Sequence, residues 1–452
     1  LTRQRMSKVL TEFYGCNIEV ISVKRNGDNY QKSAFVKLIE VQVKVFTKGD
    51  ELIMKAKPRS IKFPASWFWL LTVLGLEQQI AEIKRDKFWS WKPDPNVPFR
   101  LYWASGMTQE CLSEAWSYAI ANLPDHKGDK GEYFSFICGD DNSDELGAAD
   151  ASAYDSTQRE FFAQCQWRSM GNFEKAVLAA LGKIHQGKRK GRGFMYKQPK
   201  MGNPSGSPFT LFINSLGMGI YTLERARVRL LIQSKLDRPL TSVEMDILSK
   251  EVGKAYGLEI TYTQAPEVGQ VGEGIEFLKG VFVYYGARVS SKLEGKEEES
   301  SNSRVNPNLF IWVPLPSRIC KAGKVILDGV NNDLKLGALH DQLVSVANSY
   351  KSSIQSPLLS DWVEVWNSGK KEAVKGWVNI LFDSSKEFLE LGGNAAFIEH
   401  SKKIFAHRYG YTTEELEMLI KAIRSSARTF GRFRGGLWER LVLVDYQGAK
   451  FE

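Results

Sequence analysis

Apolar and polar positions alternate in Phe35 to Val45 (FVKLIEVQVKV), and this period of two predicts β-strands within residues 18–57. From 64 to 124 aromatic and helix-forming residues dominate, punctuated by prolines at 93, 95 and 98. A short apolar run, Tyr133 to Cys138 (YFSFIC), predicts a strand that breaks at Gly139-Asp140-Asp141-Asn142. A helical pattern follows at 158–186, then a basic loop at 187–200, then an apolar helix after Pro204. Residues 245–263 read as a helix and then a strand, and 276–285 (EFLKGVFVYY) as another strand region. GKEEESSNS at 295–303 marks a linker, and 340–452 reads as mainly helical.

Composition narrows the class without naming a function. The 452 residues are 43% hydrophobic and 25% charged, which suits a globular chain of about three domain-sized units. A net charge of +9 favours a polyanionic partner. Cys16, Cys111, Cys138, Cys165 and Cys320 are scattered and never form a C-x-x-C pair, so a reducing compartment fits better than a disulfide framework or a zinc ribbon. The most apolar stretch, Phe63 to Leu76, is shorter than the roughly 20 residues of a membrane span. No intrinsic membrane segment is expected. The chain opens with Leu1 and shows no signal-like stretch, as expected of a processed or partial sequence.

Three short patterns carry chemistry. Gly139-Asp140-Asp141 sits where a strand of bulky residues turns, a place from which adjacent carboxylates can hold divalent cations. Alone, it reads equally as a solvated Asp-rich turn. Asp150-x4-Asp155, in DASAYDST, offers one carboxylate at a strand end and another past a bend, and reads alternatively as a helix cap. Ser205-Gly206-x3-Thr210-x3-Asn214 joins a flexible loop to a helix, with Thr210 and Asn214 on one helical face. By average residue usage this last pattern arises in about one chain in a few hundred.

Together these resemble motifs C, A and B of the palm domain of viral RNA-dependent RNA polymerases. KAYGLEIT (254–261) resembles motif D, EFLKGVF (276–282) the motif E primer grip, and KAKPRSI (55–61) the basic motif F. The order is unusual, because GDD precedes D-x4-D. A C-A-B order is found in the permuted polymerases of birnaviruses and permutotetraviruses, and GDD in place of ADN makes the chain more similar to the permutotetravirus polymerases of the Thosea asigna virus type. Only eight residues separate Asp141 from Asp150, whereas a strand out and a strand back usually take about five or six each. Either the hairpin is very short or residues are missing there.

The resemblance implies an α+β right-hand polymerase: an N-terminal region and fingers at 1–130, palm at 131–160, a fingers insertion at 161–200, palm again at 201–290, and a helical thumb at 291–452. The palm is expected to be an antiparallel sheet backed by helices. The resemblance also implies template-directed RNA synthesis from ribonucleoside triphosphates with two Mg²⁺ or Mn²⁺ ions. Asp140 and Asp150 would be the bridging ligands and Asp141 auxiliary. Asp155 and Asn214, with Thr210, would recognise the ribose 2′-hydroxyl. Arg59, Lys57 and Lys55 would face the triphosphate, and Leu278 and Lys279 the primer. Ser205, Gly206, Lys188, Arg189, Lys190 and Arg192 would face the RNA template. YGLEIT is followed by Tyr262-Thr263-Gln264-Ala265-Pro266-Glu267, so no lysine stands shortly after it to match the motif D general acid.

Tryptophans 67, 69, 89, 91 and 103 could stack on bases but read rather as packing of the fingers core, and the five histidines lack metal-ligand spacing. Initiation de novo, from an RNA primer or from a protein primer is left open. Replication of a positive-strand genome in the host cytoplasm follows from the resemblance alone. The rival readings are a reverse transcriptase, a template-independent nucleotidyltransferase, and an inactive RNA-binding replication scaffold.

Overall fold

The structure is a computed structural model describing residues 80–124, 131–154, 210–266, 269–287, 308–319, 344–350, 356–367, 385–425 and 435–446, apart from 82, 153 and 345. Between 18 and 63, and between 188 and 197, it describes the backbone of short strands alone. In chain order, β1 (Ile18–Arg25) pairs with β2 (Asp28–Phe35), and β3 (Lys44–Thr47) with β4 (Ser60–Phe63). Residues 36–43 of the predicted alternating run, and the apolar stretch at 64–76, lie outside the described residues.

β5 (Ser90–Trp91) and β6 (Phe99–Trp103) lead into α1 (Gln109–Ala121), whose N-terminus is capped where the Cys111 amide donates to Thr108 Oγ1 at 3.1 Å. β7 (Tyr133–Cys138), β8 (Asp141–Asp144) and β9 (Gly147–Ser152) form two consecutive tight turns. The predicted basic loop is instead a paired hairpin, β10 (Lys188–Gly191) with β11 (Phe194–Lys197). Phe194-Met195-Tyr196 gives β11 strand character, which the surrounding run of charge masked.

The 27-residue α2 (Thr210–Leu236) and α3 (Ser242–Tyr256) precede β12 (Glu259–Gln264). α3 begins in a reciprocal capping box between Thr241 and Glu244 and ends at Gly257, so its limits follow from local sequence. The stretch read as one strand at 276–285 is broken into β13 (Glu276–Phe277) and β14 (Gly280–Ala287) by a two-residue turn. β15 (Asn308–Pro314) pairs with β14, so this second sheet continues past 290, where the sequence places the thumb boundary. Among the described residues five α-helices follow: α4 (Leu359–Asn367), α5 (Lys386–Gly392), α6 (Ala395–Tyr409), α7 (Thr413–Ser425) and α8 (Gly436–Asp445).

The main sheet has the order β12-β9-β8-β7-β6-β5. Its pairs are antiparallel except β6–β7, which is parallel and crossed over by α1, so the sheet is mixed where a purely antiparallel one is expected. Mixed α and β structure of this kind is compatible with the α+β class. Because side chains alternate across a strand, Leu101, Trp103, Ile137, Ala151 and Ile260 pack under α2 and α3. Tyr102, Phe134 and Phe136 face the other way, onto Trp116 of α1 and onto Phe277, Phe282 and Trp312 of the second sheet. Trp116 stacks on Phe282 at 3.9 Å and Tyr102 on Phe136 at 4.5 Å. Each such side chain contributes about 1.5–3 kcal/mol by burial. The opposite face of the second sheet, with Val281, Val283, Ile311 and Val313, joins the C-terminal helices in a third core. Trp103 is buried in the core beneath α2, and the half-buried Trp89 and Trp91 pack against it. No described helix is long and apolar enough to cross a membrane.

α2 also binds the sheet through buried polar groups. Arg225 donates to Asp144 Oδ2 and to Asn142 Oδ1, both at 2.7 Å, and Arg229 to Glu145 Oε1 at 2.6 Å. Asn142 Nδ2 donates in turn to Ser135 Oγ at 2.5 Å and to Thr222 Oγ1 at 2.9 Å. Asp144 Oδ1 accepts from the amides of Leu146 and Gly147 at 3.0 and 3.1 Å, which fixes the β8–β9 turn. Burial works against the charge of Arg225, but Asp144, Tyr221 and Tyr262 together outweigh it and raise the guanidinium pKa. Replacing Arg225 with alanine leaves Asp144 buried and unpaired, and urea unfolding should show a loss of about 3–5 kcal/mol.

Candidate active site

The strand of bulky residues, β7, ends at Gly139, whose φ of +67° makes the turn that a side chain would hinder. The turn is Gly139-Asp140, and β8 begins at Asp141. Asp141 is paired directly across from Asp150 on β9, with Cys138 on its other side and Thr261 of β12 beyond Asp150. These four form one row across the sheet. Directly opposed antiparallel residues hold their Cβ atoms about 4.5–5.5 Å apart, so the two carboxylates share a face. The Ala151 amide donates to the Asp140 carbonyl at 3.4 Å, which draws the turn against β9. The short spacing from Asp141 to Asp150 is therefore met by a hairpin of four- and six-residue strands closed by Glu145 and Leu146.

Like charges crowd this row. Burial and then the charges of Asp140 and Asp150 push the Asp141 carboxyl well above its ordinary value, with partial relief from Lys279. Burial, with Asp141 and Asp140, likewise pushes the Cys138 thiol up. Asp140 and Asp141 are half-buried and Asp150 is exposed, so the row opens to solvent at its Asp150 end.

The α2 N-terminus is tied to both acidic segments. The Gly139 amide donates to Ser215 Oγ at 2.8 Å, and Ser215 Oγ donates to the Leu211 carbonyl at 2.7 Å. Tyr154, in the DASAYDST segment, donates from its hydroxyl to the Asn214 carbonyl at 3.2 Å. Thr210 opens α2, and Asn214 is buried one turn on. The described parts of the three sequence patterns thus meet where β7, β9 and α2 converge. Asp155, Ser205, Gly206, Arg192, Arg59, Lys57 and Lys55 lie outside the described residues. Lys188, Arg189 and Lys190 are described only as backbone of β10.

Lys279 reaches the row from the second sheet. Ser143 Oγ donates to the Glu276 carbonyl at 2.7 Å, which joins β8 to β13 on the face that carries Asp141. Leu278 and Lys279 have φ of +51° and +57°, the geometry of a type I′ turn without its usual glycine or asparagine. Such conformations cost about 1–3 kcal/mol each and persist where their surroundings fix them. A Cβ on the following Gly280 would lie 2.2 Å from the Trp312 ring, so close packing requires glycine there.

Lys279 Nζ donates to Glu276 Oε1 at 2.8 Å and to the Asp445 carbonyl at 3.3 Å. Arg408 of α6 pairs with Glu276 and, at 2.9 Å, with Asp445 Oδ1. Burial opposes ionisation of Glu276, yet Arg408 and Lys279 hold its carboxyl below the usual range. Burial also opposes the charge on Lys279, but Glu276 and then Asp141 raise its pKa.

Asp140, Asp141 and Asp150 are hard oxygen donors, the type that Mg²⁺ and Mn²⁺ take, and a divalent cation would relieve the repulsion that Asp140 and Asp150 exert on Asp141. Among the described residues, no group of three or more His, Cys, Asp or Glu side chains is gathered closely enough to hold one ion. His400 pairs with the buried Glu273 at 2.7 Å, a contact between α6 and the approach to the second sheet. Sequence reasoning passed over Ser215, Arg225, Glu276 and Arg408. For Arg225 a signal exists, since it lies four residues after Tyr221 and three after Thr222 on the buried face of α2. No protein-family model matches the chain, and a search of curated proteins finds no match.

Without added cation, the raised Asp141 makes the folded chain bind more protons than the unfolded one between its ordinary value of 3.8 and its raised value. Stability should therefore fall as pH rises through that window. Asp141→Asn should flatten this slope and raise the melting temperature at neutral pH, as measured by thermal melts from pH 4 to 8 in chelator.

Proposed function

We propose that the chain is an RNA-dependent RNA polymerase with a permuted palm, which replicates the genome of a positive-strand RNA virus in the host cytoplasm. The observation that carries the reading is the pairing of Asp141 opposite Asp150, with the Gly139 amide held by Ser215 of the Thr210–Asn214 helix. Acids from the GDD and D-x4-D segments and the start of the motif B helix thereby come to one end of a sheet, although their chain order is permuted. Chemistry depends on that convergence and not on sequence order.

The reaction joins a primer 3′-hydroxyl to the α-phosphorus of a ribonucleoside triphosphate and releases pyrophosphate. Asp140 and Asp150 would hold Mg²⁺ or Mn²⁺, which when bound lowers the pKa of the attacking hydroxyl and offsets charge on the leaving group. Asp141, whose burial and acidic neighbours favour its protonated form, suits the auxiliary position. Lys279 presents a cation beside the carboxylate row, where an RNA phosphate of the primer end would lie. Asn214, with Thr210 and Asp155, would distinguish ribose from deoxyribose through the 2′-hydroxyl, which both donates and accepts hydrogen bonds. Arg59, Lys57 and Lys55 would bind the triphosphate, and the basic β10 segment the template. These assignments rest on the resemblance of their motifs.

The test is incorporation of labelled ribonucleotides on an RNA template with Mg²⁺ or Mn²⁺. The chain should incorporate ribonucleotides in preference to deoxyribonucleotides, and Asp140→Asn or Asp150→Asn should lower kcat by ~10²-fold or more. Preferential use of deoxyribonucleotides would turn the reading to reverse transcription, and incorporation without template to a terminal transferase. RNA binding with no incorporation under primed and unprimed conditions would favour a replication scaffold. Independently of turnover, Mn²⁺ should raise the melting temperature of the unaltered chain and raise it less in Asp141→Asn.

A further inference from the structure

The backbone of the Leu278–Lys279 turn is gripped by a single side chain from the segment that follows β15, at the same end of the second sheet, where Gly280 pairs with Pro314. Arg318 closes the short helical turn Pro316–Arg318 that follows β15. Its Nε donates to the Lys279 carbonyl at 3.0 Å and its terminal nitrogen to the Leu278 carbonyl at 2.6 Å. The Leu315 amide donates to the same Lys279 carbonyl at 3.0 Å. Both residues of the turn have positive φ, so nothing in their own chemistry holds the conformation. The planar guanidinium presents two donors at fixed spacing, and the two consecutive carbonyls match it as a fork. The same guanidinium lies 5.6 Å from the centre of the Trp312 ring, the ring that packs against Gly280. Tyr446, at the end of α8, donates to the Ser317 carbonyl at 3.5 Å, so the C-terminal helices back the clamp.

We infer that Arg318 is a positioning residue for the proposed polymerase: it clamps the Leu278–Lys279 turn so that the Lys279 ammonium stays beside Asp141 and Glu276, aimed at the primer end. The functional half rests on the polymerase reading, whereas the clamp itself does not. Lysine at 318 keeps the charge but loses the fork. A positioning role therefore predicts that Arg318→Lys behaves like Arg318→Ala, while a mere phosphate contact predicts that it behaves like the unaltered chain.

Two measurements decide the matter. Hydrogen exchange followed by mass spectrometry, on a peptide covering 276–284, reads the turn without any activity. Primer extension reads the KM for primed RNA separately from the KM for nucleotide. Both variants should exchange faster over the turn and should raise the KM for primed RNA by ~10-fold, with nucleotide KM within about twofold of the unaltered chain. Unchanged exchange in both variants, or an Arg318→Lys enzyme with an unaltered KM for primed RNA, would overturn the inference. So would an equal rise in both KM values accompanied by a general fall in melting temperature, which marks a structural residue. If the unaltered chain extends no primer, the polymerase reading falls, and the exchange result alone upholds or overturns the clamp.

Discussion

The parity of the β8 strand governs the site. Successive side chains on a strand point to opposite faces, so the buried bonds from Arg225 to Asn142 and Asp144 fix which residues of β8 face α2. Asp141 and Ser143 are then forced to the opposite face, and Ser143 confirms it by bonding to β13. A slip of one residue would carry Asp141 away from Lys279 and bury it under α2. The arrangement is costly to break and not especially cheap to make, since two charged groups lose water when they pair in the interior. Its value lies in choosing one register in a strand of only four residues, DNSD, that has no apolar side chain of its own.

A second polar assembly governs the other side of the row. Glu276, Arg408, Lys279 and Asp445 link the β13–β14 hairpin to α6 and α8, and each cation there has an acidic partner. Lys279 is thus restrained rather than free to sweep the surface, although its side chain is about half exposed. Opposing costs meet at this turn. Two positive-φ residues and a crowded glycine are tolerated because Trp312, Arg318 and Leu315 fix the surrounding backbone.

Much of this was legible in the sequence where the physics is local. The YFSFIC strand and its break at Gly139, the α3 helix between its cap and Gly257, and the strand at YGLEITYT all follow from periodicity and end signals. The spacing of Thr210 and Asn214 placed both on α2. What escaped depends on partners distant in sequence. Asn142 and Asp144 look like a solvated turn until Arg225, more than eighty residues on, is brought against them. NLFIWVP falls between the linker and the helical pattern that starts at 340, in a region where the resemblance implies a helical thumb, and only its pairing with β14 gives it a place as a strand. EFLKGVFVYY hides its turn because neither Leu278 nor Lys279 carries a turn signal.

The hairpin from Asp141 to Ser152 also bears on how the molecule comes to have its acidic pair. With the GDD segment directly before D-x4-D, the two strands that set Asp141 against Asp150 are joined by two residues, Glu145 and Leu146. Closing so short a loop has a small entropic cost, and isolated hairpins form in about 1–10 μs. In a chain where the same two strands are separated by a long insertion, their pairing must wait for a larger part of the fold to collapse. The order of the two segments thus makes this contact a local one, and the spacing of the carboxylates becomes a property of one small folding unit that the rest of the protein needs only to orient.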